Sequence, residues 1–140
     1  MKILLAVDGS PFTKRMLAYI AAHDELLGPQ HDYTLFTVVT PIPPHAARHI
    51  DAKTLAGYYA DQADQVLGPL RKFVAQQGWR IQASHVVGHA ADAIAEVAKA
   101  GKHELIVMGA HGHSTLVNVV LGSVTTGVLA RCETPLLLIR

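Results

Sequence analysis

The residue types best suited to chemistry in this sequence are concentrated in one segment, GAHGHSTLVNVVLGS, which runs from Gly109 to Ser123. Gly109 and Gly112 permit positive φ and close approach of a ligand to the main chain. Gly122 and Ser123 open a predicted helix, whose free N–H groups and dipole favour an anion. We interpret these two halves as contacts for one phosphate chain, with the apolar residues between them packed as a flap or short helical turn. A loop that needs glycine only for turning is the alternative.

The two common glycine-rich nucleotide motifs are absent. A P-loop requires GxxxxGK[ST], and no lysine occupies the required place. A dinucleotide-binding turn requires GxGxxG directly after a strand. Neither Asp8-Gly9 nor Gly109-Ala110-His111-Gly112 supplies this pattern. The only titratable side chains between Gly109 and Ser123 are His111 and His113, whereas fast phosphoryl transfer needs a group that orients water and cations that neutralise charge. We therefore assign no catalytic residue and expect binding without fast turnover.

A second polar turn, Asp8-Gly9-Ser10, follows the first apolar run of the chain. The Asp8 carboxylate can accept hydrogen bonds from the hydroxyls of a sugar, and the Ser10 hydroxyl can donate to a phosphate. The simpler interpretation is that both residues only make the turn and cap the helix that begins at Pro11, since both are common at helix starts. The turn belongs to a predicted site only if the fold brings it close to the glycine-rich segment.

The elements that must position these segments alternate along the chain. Short apolar runs rich in Ile, Leu and Val indicate buried strands, and three-to-four spacing of apolar residues indicates helices between them. The predicted strands are Lys2 to Val7, Tyr33 to Thr40, Arg80 to Val87, Glu104 to Gly109 and the terminal TPLLLIR. Four helices are predicted. The first begins at Pro11, and the others cover about residues 50–77, 88–100 and 123–131. Gly68-Pro69 is expected to kink or divide the second helix.

This alternation predicts an α/β fold: an open five-stranded parallel sheet with helices on both faces, a three-layer α/β/α arrangement of Rossmann-like type. We expect one domain over residues 1–140. In such sheets ligands bind beyond the carboxyl ends of the strands, where the strand order reverses. The loops that arrive there follow the first, second and fourth strands, so the turn at Asp8 and the segment at Gly109 should meet.

Composition excludes several classes of partner. Twelve basic and 11 acidic side chains give a formal charge of +1, so nucleic acid is not expected as a partner. No apolar run approaches the roughly 20 residues of a membrane span, and no signal peptide is evident. The single cysteine, Cys132, favours a reducing compartment, so we expect a cytoplasmic protein. The nine histidines include three close pairs, but none has the third and fourth ligands of a zinc site, so no metal site is predicted.

The pattern G-x2-G-x9-G-[ST] is met by Gly109, Gly112, Gly122 and Ser123, and VDGS at residues 7–10 occupies the turn after strand one. In both motifs, and in length and element order, the chain resembles a universal stress protein domain of the ATP-binding branch, whose fold is adenine nucleotide α-hydrolase-like. The resemblance implies that ATP is bound, with Mg²⁺ as a possible companion held mainly by phosphate oxygens.

The resemblance also implies roles for individual residues. Asp8, in the turn with Gly9 and Ser10, would face the ribose and adenine, and Val38 would meet the adenine through its main chain. The ribose and phosphates would be surrounded by Gly109, Gly112, His113, Gly122, Ser123 and Val124. Relatives often carry lysine or arginine where this chain has His113. The resemblance therefore implies that His113 lies next to a phosphate, which would favour the imidazolium and make binding depend on pH.

Three functional hypotheses follow from this resemblance. The first is a nucleotide-binding regulatory module of the stress response, with little or slow hydrolysis. The second is a slow ATPase or nucleotidyl transferase that uses His111 or His113, and the third is an interaction protein with an empty site. The family further implies a homodimer paired through the last strand, where Leu136 and Leu138 form part of an apolar edge.

Overall fold

A parallel sheet of five strands forms the centre of the computed structural model, which describes residues 1–113 and 121–140. The flap or helical turn expected between Gly112 and Gly122 falls mostly on residues 114–120, outside the described residues. The strands are β1 (Lys2–Ala6), β2 (Asp32–Val39), β3 (Arg80–Val87), β4 (Leu105–Gly109) and β5 (Leu136–Ile139). They lie in the order β3-β2-β1-β4-β5, and all four neighbouring pairs are parallel.

Helices cover both faces of the sheet. The helices of the described residues are α1 (Pro11–Ala22), α2 (Asp24–Leu27), α3 (Pro44–Ala47), α4 (Ala52–Gln76), α5 (Ala90–Ala100) and α6 (Ser123–Arg131). Successive strand residues point to opposite faces: Ile3 and Leu5 pack with α1 and α4, whereas Leu4 and Ala6 pack with α5 and α6. The predicted open parallel sheet with helices on both faces is confirmed.

Helix α4 corrects one expectation about proline. Pro69 lies inside the helix, which runs without division from Ala52 to Gln76. Proline removes one main-chain donor and crowds the preceding turn, but the buried residues Leu67 and Leu70 stand on either side of it and face the core. Burial of one continuous apolar face outweighs the loss of a single hydrogen bond. Of the two predicted effects of Gly68-Pro69, division of the helix is therefore wrong, and a kink stays a prediction.

The start of helix α1 differs from the expected serine cap. Ser10 occupies the N-cap position and Pro11 follows it, as predicted, but the Ser10 side chain makes no capping hydrogen bond. The Asp8 carboxylate holds the turn instead, because its Oδ1 accepts from the Ser10 N–H at 2.9 Å and from the Thr13 hydroxyl at 2.9 Å. The turn also contains Gly9 at φ +75°, a conformation that side chains other than glycine adopt only with strain.

Candidate functional site

A cavity of about 250 Å³ opens at the carboxyl ends of β1, β2 and β4. This is where the strand order reverses, because β1 has β2 on one side and β4 on the other. The loop after β1 contributes Asp8 to the lining, and the segment after β4 contributes Gly112 and Gly122. The fold thus brings together the two polar segments that the sequence singles out, at the position expected for ligands in open α/β sheets.

Among the described residues, hydrogen bonds reach one of the two carboxylate oxygens of Asp8 and leave the other open. Oδ1 receives the two turn hydrogen bonds, whereas Oδ2 lies on the cavity side, 2.8 Å from where a Cβ on Gly112 would be. The main-chain N–H of Asp8 donates to the Thr13 hydroxyl at 3.1 Å, which fixes the turn further. One carboxylate therefore serves both interpretations of this turn: Oδ1 stabilises the helix start, and Oδ2 remains available as an acceptor.

Val38 offers a main-chain edge to the cavity. The β1–β2 register ends at the pair Ala6 and Phe36, while the β2–β3 register continues to Val39. The carbonyl of Val39 accepts from the N–H of Gly88, so the main-chain polar groups of Val39 point toward β3. Because these groups alternate between the two sides along a strand, the N–H and C=O of Val38 point toward β1. Strand β1 has already ended there. A donor and an acceptor spaced as on a strand edge thus border the cavity, which Val38 lines.

The glycines of the motif are required by close contacts rather than by positive φ. Within the described residues, only Gly9 and Gly78 among the glycines have positive φ. A Cβ on Gly109 would lie 2.6 Å from the Cβ of Phe12, and one on Gly122 would lie 3.1 Å from a carbonyl oxygen. The expectation of positive φ at Gly109 and Gly112 is therefore wrong. The close contacts observed are with other parts of the chain, and the close approach of a ligand stays a prediction.

Helix α6 begins at the cavity. Gly122 is its N-cap and donates through its N–H to the carbonyl of Ala110 at 2.8 Å, which closes the glycine-rich segment on itself. Ser123 and Val124 then line the cavity in the first turn of the helix. The Thr125 hydroxyl, 3.4 Å from the Ala110 carbonyl, ties this turn to the end of β4. The free N–H groups of a helix start favour an anionic ligand.

The two histidines of the segment have different neighbours. His113 donates from Nε2 to the main-chain carbonyl of Asp8 at 2.7 Å, so Nε2 carries a proton. The ring of His111 lies 5.3 Å from the ring of Phe12 on α1. Both histidines line the cavity, and Asp8 is the other titratable side chain in its described lining. The cavity has one carboxylate, two imidazoles and no guanidinium or ammonium group from the described residues.

Two predicted site residues lie beside the cavity rather than in its lining. Gly9 faces helix α4, where a Cβ would contact the Val66 side chain at 3.6 Å. The Ser10 hydroxyl is completely buried and has no hydrogen-bond partner. Neither residue is among those that line the cavity, so they support it through the shape of the turn, and the direct contact expected between Ser10 and a phosphate is not prepared by this geometry.

Sequence reasoning missed most of the apolar wall. The side chains of Phe36 from β2, Ala90 and Ile94 from α5, and Met108 from β4 line the cavity. These residues occupy ordinary core positions in the sequence, and only the packing of α5 against the sheet brings them together around the cavity. Thr13 was missed as well, because its role depends on the hydrogen bonds that it makes with Asp8 in the folded turn. An apolar pocket with a few converging polar groups is the usual form of a small-molecule site.

Two features, clusters of metal-ligating side chains and helices that could cross a membrane, are absent from the described part of the chain. Over residues 1–113 and 121–140, no three side chains of the His, Cys, Asp and Glu types are grouped as metal ligands would be. The helices in these same ranges are all too short or too polar to span a bilayer.

The sheet order and the cavity at its switch point define an open, doubly wound α/β protein with a cavity where ligands bind in sheets of this kind. The universal stress protein family matches residues 1–140 of the sequence, and the chain belongs to this family. A universal stress protein of Synechocystis sp. is 29% identical over 140 residues. The alignment covers 99% of this chain and 42% of that relative, so the chain spans less than half of the relative's length.

Solved structures of the family share the fold. Universal stress protein UspA from Lactobacillus plantarum superimposes with a TM-score of 0.81 at 23% identity, covering 100% of this chain and 97% of that one. A family member from Arabidopsis thaliana with AMP bound gives 0.71 at 16% identity, covering 99% and 90%. A universal stress protein from Archaeoglobus fulgidus in complex with dAMP gives 0.68 at 19% identity, covering 100% and 98%.

Proposed function

We propose that this chain binds an adenine nucleotide in the cavity at the carboxyl ends of β1, β2 and β4, and that it works as a nucleotide-binding regulatory module. The observation that carries the proposal is the convergence of three complementary groups on one cavity: the open Oδ2 of Asp8, the main-chain edge of Val38 and the start of α6. Solved family members with AMP and dAMP support the choice of an adenine nucleotide.

Each group suits a different part of the ligand. The N–H and C=O of Val38 match the alternating donor and acceptor edge of adenine, and the apolar side chains of Ile94 and Met108 suit the faces of the base. Asp8 Oδ2 accepts from ribose hydroxyls, as charged acceptors do strongly. The start of α6, with Gly122 and Ser123, then receives the phosphates.

ATP is the nucleotide proposed from the G-x2-G-x9-G-[ST] pattern, with Mg²⁺ held mainly by its phosphate oxygens. Hydrolysis is expected to be slow or absent, because Asp8, His111 and His113 are the titratable side chains of the described lining. His113 Nε2 is already engaged by the Asp8 carbonyl, and a phosphoryl-transfer site also needs cations at the developing charge. Under this proposal, bound nucleotide changes the surface around the glycine-rich segment that a partner or a second copy of the chain contacts.

The test begins with the purified protein. Acid extraction followed by chromatography identifies any co-purified nucleotide, and calorimetry with ATP, ADP, AMP and GTP measures selectivity. We expect adenine nucleotides to bind and GTP to bind much more weakly. Gly122→Val should abolish binding, because a Cβ at this position already comes within 3.1 Å of the Ala110 carbonyl oxygen. Equal weak binding of all four nucleotides, or full binding by Gly122→Val, would overturn the proposal.

A slow ATPase or nucleotidyl transferase that uses His111 or His113 is distinguished by the fate of the nucleotide. Incubation with Mg²⁺ should leave ATP unchanged over many binding lifetimes if the chain is a binding module. Multiple turnovers to ADP, lost in His111→Ala or His113→Ala, would favour the enzyme instead. A preparation that binds no nucleotide would favour an interaction protein with an empty site.

A further inference from the structure

The wall of the cavity opposite β1 is built by two helices rather than by the sheet. Helix α5 contributes Ala90 and Ile94 to the lining, and helix α6 contributes Ser123 and Val124. The two helices lie side by side on the same face of the sheet. The distance between α5 and α6 therefore sets the width of the cavity at this wall.

One contact limits how close these helices come. Gly127, in the middle of α6, faces Ala91 of α5, and a Cβ on Gly127 would lie 2.6 Å from the Cβ of Ala91. Two carbon atoms pack at about 3.5 to 4.0 Å, so a methyl group on Gly127 would force the helices apart by about 1 Å. Ala91 is only 2% exposed, so its methyl group has no room to move aside.

Helix α6 is the one that would yield. Helix α5 buries five residues, whereas α6 buries only Thr125 and Val128. An ion pair also joins the two helices, with Arg131 Nε 2.5 Å from Asp92 Oδ1, and it is about half exposed and easily rearranged. Displacement of α6 carries Ser123 and Val124 with it, so the ligand contacts at the helix start change.

We propose that the contact between Gly127 and Ala91 sets the width of the nucleotide cavity, which makes Gly127 a positioning residue for ligand binding. Glycine inside a helix is unfavourable compared with alanine, so its presence in the short helix α6 calls for a packing reason, and the 2.6 Å approach supplies one. The inference rests on the proposed nucleotide binding but adds a determinant outside the cavity lining and outside the glycine pattern.

A methyl exchange across the contact tests the proposal. Gly127→Ala adds a methyl group to α6, Ala91→Gly removes one from α5, and the double variant moves the methyl group from one helix to the other. We expect Gly127→Ala to weaken nucleotide affinity by about tenfold, the effect of losing one good contact. The double variant should recover to within about threefold of the wild type, because close packing tolerates changes that conserve volume.

The matched control is Gly57→Ala in helix α4, where a Cβ would have no neighbour within 4 Å. It makes the same change in helix propensity, so it should raise thermal stability and leave affinity unchanged. Unchanged affinity in Gly127→Ala, or a double variant as weak as the single one, would refute the positioning role.

A second readout needs no nucleotide. Amide NMR shifts of Ile94 and Val124 in the ligand-free protein should move in Gly127→Ala, return in the double variant and stay constant in Gly57→Ala. If the wild type binds no nucleotide, the proposed function fails while these shifts still decide the spacing role. Shifts that do not move in Gly127→Ala would refute the spacing role whether or not nucleotide binds.

Discussion

His113 and Asp8 join the two loops of the cavity: the imidazole Nε2 donates to the main-chain oxygen of Asp8 at 2.7 Å. The two residues are 105 positions apart in the chain, and one follows β1 while the other follows β4. Because the carbonyl can only accept, Nε2 of His113 carries the proton of this hydrogen bond. The imidazole belongs to the lining of a cavity whose described residues include no lysine or arginine.

The first prediction concerns pH and His113. The hypothesis that an adjacent phosphate favours the imidazolium predicts that, as pH falls from about 8 to about 5.5, the affinity for ATP rises more in the wild type than in His113→Ala. At low pH we expect His113→Ala to bind ATP about fivefold more weakly, a loss of about 1 kcal/mol. Calorimetry across this pH range measures the ATP affinity of the wild type and of His113→Ala. Titration of the phosphate of ATP itself affects all variants equally, so it does not contribute to the difference between them.

Three comparisons isolate His113 in this experiment. Adenosine has no phosphate, so its affinity should be nearly independent of pH. His111→Ala, at the other histidine of the lining, should keep the pH dependence, and His85→Ala, exposed on β3 away from the cavity, should behave as the wild type. Equal pH profiles for the wild type and His113→Ala would contradict the prediction.

The second prediction separates the two oxygens of Asp8. Asp8→Asn keeps an oxygen that can accept from Ser10 and Thr13 but replaces the open Oδ2 with an amide nitrogen. The turn should remain and the ribose acceptor should be lost, so affinity should fall by about 2 kcal/mol, roughly thirtyfold. Asp8→Ala removes both oxygens and should lower thermal stability as well as affinity. Equal affinity of Asp8→Asn and the wild type, measured by calorimetry, would exclude Oδ2 as a ligand group.

The sequence predicted most of the fold because the signals are local. Strand β3 was predicted with the bounds it has, Arg80–Val87, and α6 was predicted to begin at Ser123 and end at Arg131, as it does. Apolar runs, glycine and proline determine these boundaries without help from the rest of the chain. Pro69 is the exception, because the helix continues through the burial of its neighbours Leu67 and Leu70 against elements that are distant in the sequence.

The site was less predictable where it depends on packing between distant elements. Gly109 and Gly112 were identified, but the reason for them is the nearness of Phe12 and Asp8, which no local pattern reveals. Ile94 was assigned to the core, and it is both a core residue and part of the cavity wall. Residue type thus indicates the polar half of a site, while the apolar half emerges only from the way the helices pack on the sheet.

The third prediction concerns pairing of two chains through β5. Strand β5 is at the edge of the sheet, and the carbonyls of Pro135 and Ile139 accept from β4. By alternation, the N–H groups of Leu136 and Leu138 face outward. Leu138→Pro therefore removes a donor that a second copy would use while it preserves the hydrogen bonds to β4. We expect sedimentation to show a dimer for the wild type and a monomer for Leu138→Pro.

His85→Pro is the matched control for this pairing. The N–H of Gly88 donates to Val39 on β2, so the N–H of His85, three positions earlier, faces the opposite free edge of the sheet. Proline at this position should leave a β5 dimer intact. A monomeric wild type, or a monomer produced by His85→Pro with Leu138→Pro still dimeric, would exclude pairing through β5.

The last prediction concerns the buried phenol of Tyr33, which donates to the main-chain carbonyls of Leu27 and Gly28 and fixes the turn between α2 and β2. Burial raises the pKa of Tyr33 to about 12, whereas tyrosine in an unfolded chain has a pKa of about 10. The folded state thus keeps its proton where the unfolded state loses it. This contribution to the free energy of unfolding is complete below about pH 10 and is lost as pH rises toward 12.

Tyr33→Phe should cost about 1 to 3 kcal/mol at neutral pH, because two carbonyls lose their donor in a buried place. It should also flatten the fall in stability above about pH 10. Denaturant unfolding followed by the fluorescence of Trp79, whose ring lies 5.2 Å from that of Tyr33, measures both effects. Tyr58→Phe, at a ring that is 44% exposed, should change neither. If Tyr33→Phe lost stability above pH 10 as steeply as the wild type, the alkaline sensitivity would come from another group, because the variant has no phenol to ionise at position 33.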